Sequence, residues 1–141
     1  VEREARFDLA SDLPDVEVDL AQTSKALAVV VAHAIRSLGA DERARSVFVR
    51  ASAPEDAALL RIEITPAAFE LDAEELRALF ARRETGRARG LVLGLSLARV
   101  VVELHGGRIV VESRGDGLPA VAVLFPARPR GTSARREATT A

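Results

Sequence analysis

The sequence predicts an α+β fold, a two-layer sandwich in which a mixed, mostly antiparallel sheet of about five strands carries three helices on one face. Three observations lead there. Apolar and polar residues alternate in Val47-Phe48-Val49 and Leu60-Arg61-Ile62-Glu63-Ile64, the pattern of strands with one covered face. Apolar residues recur at helical spacing in two long stretches, so these helices are apolar on one side only. Clusters of Gly, Pro and Asp separate the runs, and two of them sit where hairpin turns belong.

In chain order, Arg6 to Leu9 and Val16 to Val18 read as short strands joined by the turn Leu13-Pro14-Asp15. Asp19 or Thr23 caps a helix that runs to about Leu38, with Leu27, Val30, Val31, Ala34, Ile35 and Leu38 on its apolar side. Gly39 is placed as its C-cap. Strands follow at Ser46 to Ser52 and Ala58 to Thr65, a hairpin turning at Ala53-Pro54-Glu55-Asp56. Asp72 with Glu75 three residues on forms a capping box for a short helix whose apolar side is Leu76, Leu79 and Phe80. Arg82 to Gly90 reads as a basic loop without periodicity. A second long helix spans Gly94 to His105 and ends at Gly106-Gly107. The last strands are Arg108 to Ser113 and Leu118 to Phe125, turning at Gly115-Asp116-Gly117.

Residues 1–127 are therefore expected to form one domain, and 128–141, rich in Arg, Pro, Thr, Ser and Ala, a disordered tail or linker. With 48% hydrophobic residues among 141, a sizeable core can be buried. The net charge of −1 gives no whole-molecule electrostatic case for nucleic acid. There is no cysteine, which excludes disulfides, thiolate metal sites and a thiol nucleophile. No apolar run reaches membrane-spanning length, the start at Val1 is unlike a signal peptide, and methionine is absent, so the chain reads as a piece of a longer protein.

Few residues invite chemistry by themselves. His33 and His105 are far apart and make no metal cluster; His33 reads as a pocket-edge histidine and His105 as a helix-terminal residue favoured by the helix dipole. Glu74-Glu75 and Asp41-Glu42 read as solvated faces, and no serine sits in a nucleophile elbow. No catalytic residue is expected. The informative stretch is Gly90-Leu-Val-Leu-Gly94-Leu-Ser-Leu-Ala-Arg99, continuing through Glu103-Leu-His105-Gly106-Gly107-Arg-Ile-Val-Val-Glu112-Ser113. A glycine-bearing loop opening a helix can offer backbone N–H groups to phosphate.

This stretch resembles the end of the ATPase domain of histidine kinases, whose fold (the Bergerat fold) is shared with gyrase, heat-shock chaperone and mismatch-repair ATPases. The family's glycine box, G-x-G-L-G-L, starts a helix ending in H-G-G and leading to a strand of the type I-x-V-E-S. Leu76-Arg-Ala-Leu-Phe80 is similar to the box before the family's ATP lid, Phe7 to Pro14 to its opening strand and turn, and Ala120 to Pro126 to its last strand. The resemblance covers Arg6 to Ala127.

It also implies where a nucleotide site would lie, and there this sequence departs from the family. The asparagine that holds the magnesium is His33, paired with Ala34, with Arg36 keeping the basic position; an earlier asparagine is Val29. Magnesium prefers hard oxygen ligands, so no metal ligand is expected here. The D-x-G-x-G box falls on Pro66-Ala67-Ala68-Phe69-Glu70, which removes the carboxylate that accepts from adenine and both glycines; Phe69 would fill part of the vacated pocket. Of the third box Gly90 and Gly94 match, whereas Val92 replaces a glycine and Leu91 the usual threonine. The lid, Ala81 to Arg89, is short and carries Arg82, Arg83, Arg87 and Arg89.

The resemblance thus implies a domain of a bacterial two-component sensor histidine kinase, degenerate in its ATP-binding boxes. It would be cytoplasmic, without bound ATP or magnesium, and catalytically silent. It would work by docking a dimerisation and histidine phosphotransfer domain or a response regulator, with no nucleic-acid or membrane contact, and as a monomer when isolated. The alternative is an active ATP- and magnesium-binding kinase domain that phosphorylates a histidine on a separate dimerisation domain. A third reading gives the altered, more apolar cleft another small ligand, with Phe69, Leu71 and Val92 lining it.

Overall fold

A computed structural model of the chain describes residues 3–38, 46–54, 58–68, 71–81 and 89–127, the first five residues of the last segment by their backbone alone. The elements are β1 (Glu4–Leu9), α1 (Leu20–Arg36), β2 (Ser46–Ser52), β3 (Leu59–Thr65), α2 (Ala73–Ala81), α3 (Arg89–Leu104), β4 (Arg108–Ser113) and β5 (Pro119–Pro126). The strands form one sheet in the order β1-β2-β3-β5-β4. β1 runs parallel to β2, and every other neighbour is antiparallel. This is the mixed five-stranded, three-helix sandwich that the sequence predicts.

Local chemistry accounts for the element ends. The Asp19 carboxylate accepts from the Gln22 amide at 3.0 Å, so Asp19 caps α1, while the Thr23 hydroxyl donates back to the Asp19 carbonyl. The capping box of α2 is formed in both directions: the Glu75 amide donates to Asp72 at 2.8 Å and the Asp72 amide to Glu75 at 3.1 Å. Helix α3 ends where Gly106 takes φ +80° and the Gly107 amide donates to the Val102 carbonyl at 2.9 Å. The β4–β5 turn has Gly117 at φ +84°, and the Arg114 amide donates to the Leu118 carbonyl at 2.9 Å.

Three expectations change. Val16 to Val18 form no strand; Val16 and Val18 lie half-buried against the core, so their alternation reports burial rather than a ladder. Helix α3 starts at Arg89, not Gly94, which puts Gly90 and Gly94 inside a helix instead of at a loop that opens one. Apolar residues at 91 to 95 propagate the helix as well as they would line a loop, and the glycine at 94 is used for packing, as described below. Helix α1 ends at Arg36 with Ser37 as its C-cap; Gly39, the turn residues Glu55 and Asp56, and the tail 128–141 lie outside the described residues.

The core lies between the helices and the covered face of the sheet. Leu76 from α2, Leu95 and Val102 from α3, and Val30 and Ala34 from α1 meet Val47, Ile64, Val121 and Val123 of the strands. The opposite face is polar. There the Arg61 guanidinium reaches Glu63 on its own strand and Glu112 on β4, across the small Ala120 and Ala122 of the strand between. None of the helices among the described residues is long and apolar enough to cross a membrane.

Candidate functional site

Three sequence positions that the resemblance singles out come from different elements, and the fold brings two of the three boxes into hydrogen-bonded contact. His33 lies near the end of α1. Its carbonyl accepts from the Ser37 amide at 2.9 Å, and the Ser37 hydroxyl lies 3.3 Å from the Ala67 carbonyl as donor. The end of α1 is thereby joined to Pro66-Ala67-Ala68, the segment leaving β3. That segment is buried, Ala68 completely, and the Ala67 amide donates to the Pro119 carbonyl at 2.8 Å. Both backbone polar groups of Ala67 are therefore engaged within the protein itself.

The third box meets the first at Val29, one turn before His33 on α1. A Cβ added at Gly94 would stand 3.3 Å from Val29 Cγ1, so the glycine lets α3 approach α1 closely at Val29. Gly94 thus has a packing role that needs no ligand. Gly90 and Val92 are placed in α3 by their backbone only, and Phe69, Glu70, Arg82, Arg83 and Arg87 lie outside the described residues. Arg36 is exposed at the last turn of α1.

His33 is 5% exposed, and burial, assisted by the neighbouring Arg36 charge, pushes its imidazole below the ordinary value of 6.5. The ring is therefore neutral near pH 7. Because the folded state resists protonation more than the unfolded state does, stability is complete above pH 6.5 and falls as the pH drops from there through the folded value. His33→Gln should flatten this slope in urea titrations between neutral and mildly acidic pH; an unchanged slope would show that another group carries it. His105 is engaged too, its Nδ1–H donating to the Val101 carbonyl at 2.7 Å.

Sequence reasoning missed Ser37. A hydroxyl just past a helix end commonly bonds its own turn, and this one does so to Ala34 at 3.0 Å; nothing local announces that the same O–H is shared with the Ala67 carbonyl. Two cavities of about 570 Å³ each lie elsewhere, one on the open sheet face and one between α1 and the β1–β3 edge, and neither is lined by His33, Pro66, Ala68 or Gly94. Among the described residues no group of His, Asp and Glu could hold a metal ion.

Residues 18–133 match the family model described as histidine kinase-, DNA gyrase B-, and HSP90-like ATPase. The chain belongs to this ATPase family. Sensor histidine kinase ZraS of Escherichia coli O157:H7 is 30% identical over 112 residues, 79% of this chain and 23% of that protein. Sensor protein FixL of Bradyrhizobium diazoefficiens is 27% identical over 122 residues, 86% of this chain and 24% of FixL. The ATPase-family domain thus spans about a quarter of the length of these relatives. Its fold resembles the nucleotide-free catalytic domain of histidine kinase ThkA, with a TM-score of 0.63 at 22% identity, covering 90% of this chain and 81% of that one. It also resembles full-length ShkA in complex with AMPPNP, with a TM-score of 0.62 at 22% identity, covering 88% of this chain and 25% of ShkA.

Proposed function

We propose that this ATPase-family domain is part of a two-component sensor histidine kinase and acts there without nucleotide, by docking a histidine phosphotransfer domain or a response regulator. The observation that carries the reading is the buried Pro66-Ala67-Ala68 segment at the position of the family's adenine-binding box. Proline has no side-chain acceptor, and Ala68, completely buried, leaves no glycine-sized gap for a base to approach.

The remaining positions do not fit a magnesium nucleotide either. Magnesium wants oxygen ligands. The residues at the family's two asparagine positions are a neutral, buried imidazole at His33 and a valine at 29 that packs against Gly94. A base that loses its acceptor gives up roughly 1–3 kcal/mol, a factor of about 5 to 150 in affinity, before the missing metal ligand is counted. No catalytic step through ATP or magnesium is therefore assigned to this chain.

Calorimetric titration of the folded domain with a non-hydrolysable ATP analogue and Mg²⁺ tests the reading. No heat up to millimolar analogue is expected. A dissociation constant tighter than about 100 µM would overturn it and make the chain a working nucleotide-binding domain.

A further inference from the structure

β4 ends the sheet beyond β5, and its backbone directions follow from its pairing. The Arg114 amide donates to the Leu118 carbonyl at 2.9 Å, continuing the register in which Arg108 faces Leu124 and Glu112 faces Ala120. Hydrogen-bonded and non-hydrogen-bonded pairs alternate along an antiparallel ladder. Arg108, Val110 and Glu112 therefore bond β5, while Ile109, Val111 and Ser113 turn their N–H and C=O away from it. Side chains alternate too. Val111 is buried in the core and Ile109 packs against it, whereas Arg108, Val110 and Glu112 share the polar face with Arg61.

The β4 strand is complementary to a second copy of itself. Two β4 strands set antiparallel about a two-fold axis through Val110 place Ile109 of each copy opposite Val111 of the other. These outward-turned residues then become the hydrogen-bonded pairs. In the same register Val110 meets its own copy, and Arg108 of each copy meets Glu112 of the other. Apolar contact and opposite charge thus fall in the non-hydrogen-bonded pairs, where facing side chains come closest. The run Ile109-Val110-Val111 is β-branched throughout and suits a strand. An edge of this kind is a template for association unless something blocks it.

Helix α2 supplies the block. The Arg77 guanidinium donates from Nη2 to the Val111 carbonyl at 2.9 Å. That carbonyl is the acceptor that the pairing would offer to the Ile109 amide of the other copy, and the two-fold axis makes the conflict occur twice. Each copy would also bring a guanidinium to the joint, positive against positive. Arg77 is held in place by its helix: Leu76 and Phe80, buried, seat α2 on the core, and Arg77 itself stays exposed. We propose that Arg77 is a guard that keeps this chain from pairing with itself through β4, so that one side chain of α2 decides whether two copies join. The guard agrees with the monomer expected from the sequence and does not depend on the nucleotide reading.

Sedimentation equilibrium of the purified chain and its variants up to about 300 µM tests the proposal. The wild type is expected at 15.1 kDa over the whole range. Arg77→Ala is expected at twice that mass, with a dissociation constant on the order of 10 µM, a tightening of at least about 30-fold. Arg77→Met keeps the apolar stem and removes only the donors, and is expected to dimerise as well; circular dichroism checks that each variant is folded. Adding Arg108→Glu, at an exposed position, opposes carboxylates at both facing pairs and is expected to return the Arg77 variants to monomers. Three results overturn the proposal: folded Arg77 variants that stay monomeric, a dimer that survives Arg108→Glu, and a wild type that dimerises as tightly as the variants.

Discussion

Gly107→Ala is expected to lower the stability of the domain by about 3 kcal/mol, at the upper end of the cost of overpacking. Gly107 sits where α3, just ended at Gly106, turns into β4 and passes β5. A Cβ there would overlap the Leu124 carbonyl oxygen and stand 2.9 Å from Phe125 Cδ1 and 3.0 Å from Val102 Cγ1. The side-chain contacts can be relieved by rotation, but the carbonyl cannot: Leu124 is held between Arg61 on β3 and Arg108 on β4. Relief requires moving β5, a strand paired on both sides. Urea unfolding should show a lower midpoint with an unchanged slope. Gly115→Ala is the control, because a Cβ at Gly115 meets nothing within 4 Å. A cost below about 1 kcal/mol at Gly107 would mean that β5 yields, contrary to its place between β3 and β4. The paired glycines after His105 are thus accounted for by the helix end and by close packing on β5.

Leu95→Ala should cost a similar amount, about 3 kcal/mol, by leaving a cavity in the core. Leu95 is completely buried on α3, one residue after the glycine that seats α3 against α1. The surrounding core is drawn from both layers, so neither layer can collapse into the gap without disturbing the other. Leu97, two residues on and 52% exposed, supplies the comparison: Leu97→Ala should change stability by no more than about 0.5 kcal/mol. Equal losses at the two positions would mean that α3 is rotated from the placement described here. Both effects can be read from one set of urea titrations.

Much of this architecture is legible in the amino-acid sequence because it is written in short-range chemistry. The β2 and β4 bounds, the capping box at Asp72, the Asp19 cap and the turn at Gly117 each depend on residues within a few positions of one another. Apolar periodicity marks the covered face of each helix and strand. The motifs around Gly94 and His105-Gly106-Gly107 identify the ATPase family. The resemblance places Val29, His33 and Pro66 at the family's box positions, and a residue type states at once which ligand atoms it lacks.

Other features depend on the assembled layers. Val16 and Val18 alternate like a strand but only rest against the core. Helix α3 extends back to Arg89 through a glycine box that reads equally well as a loop, and Gly94 gains its packing role only because α1 presents Val29 there. The Ser37–Ala67 contact links residues thirty positions apart in sequence. The parallel seat of β1 on β2 and the insertion of β5 between β3 and β4 decide which strands end the sheet and which way Phe7 faces. The sequence by itself determined most of the elements, their caps and the family, because these follow from side-chain chemistry and local hydrogen bonding. Tertiary structure alone decided the strand order, the parallel seat of β1 on β2 and the burial of His33, because periodicity reports that a face is covered and never which distant element covers it.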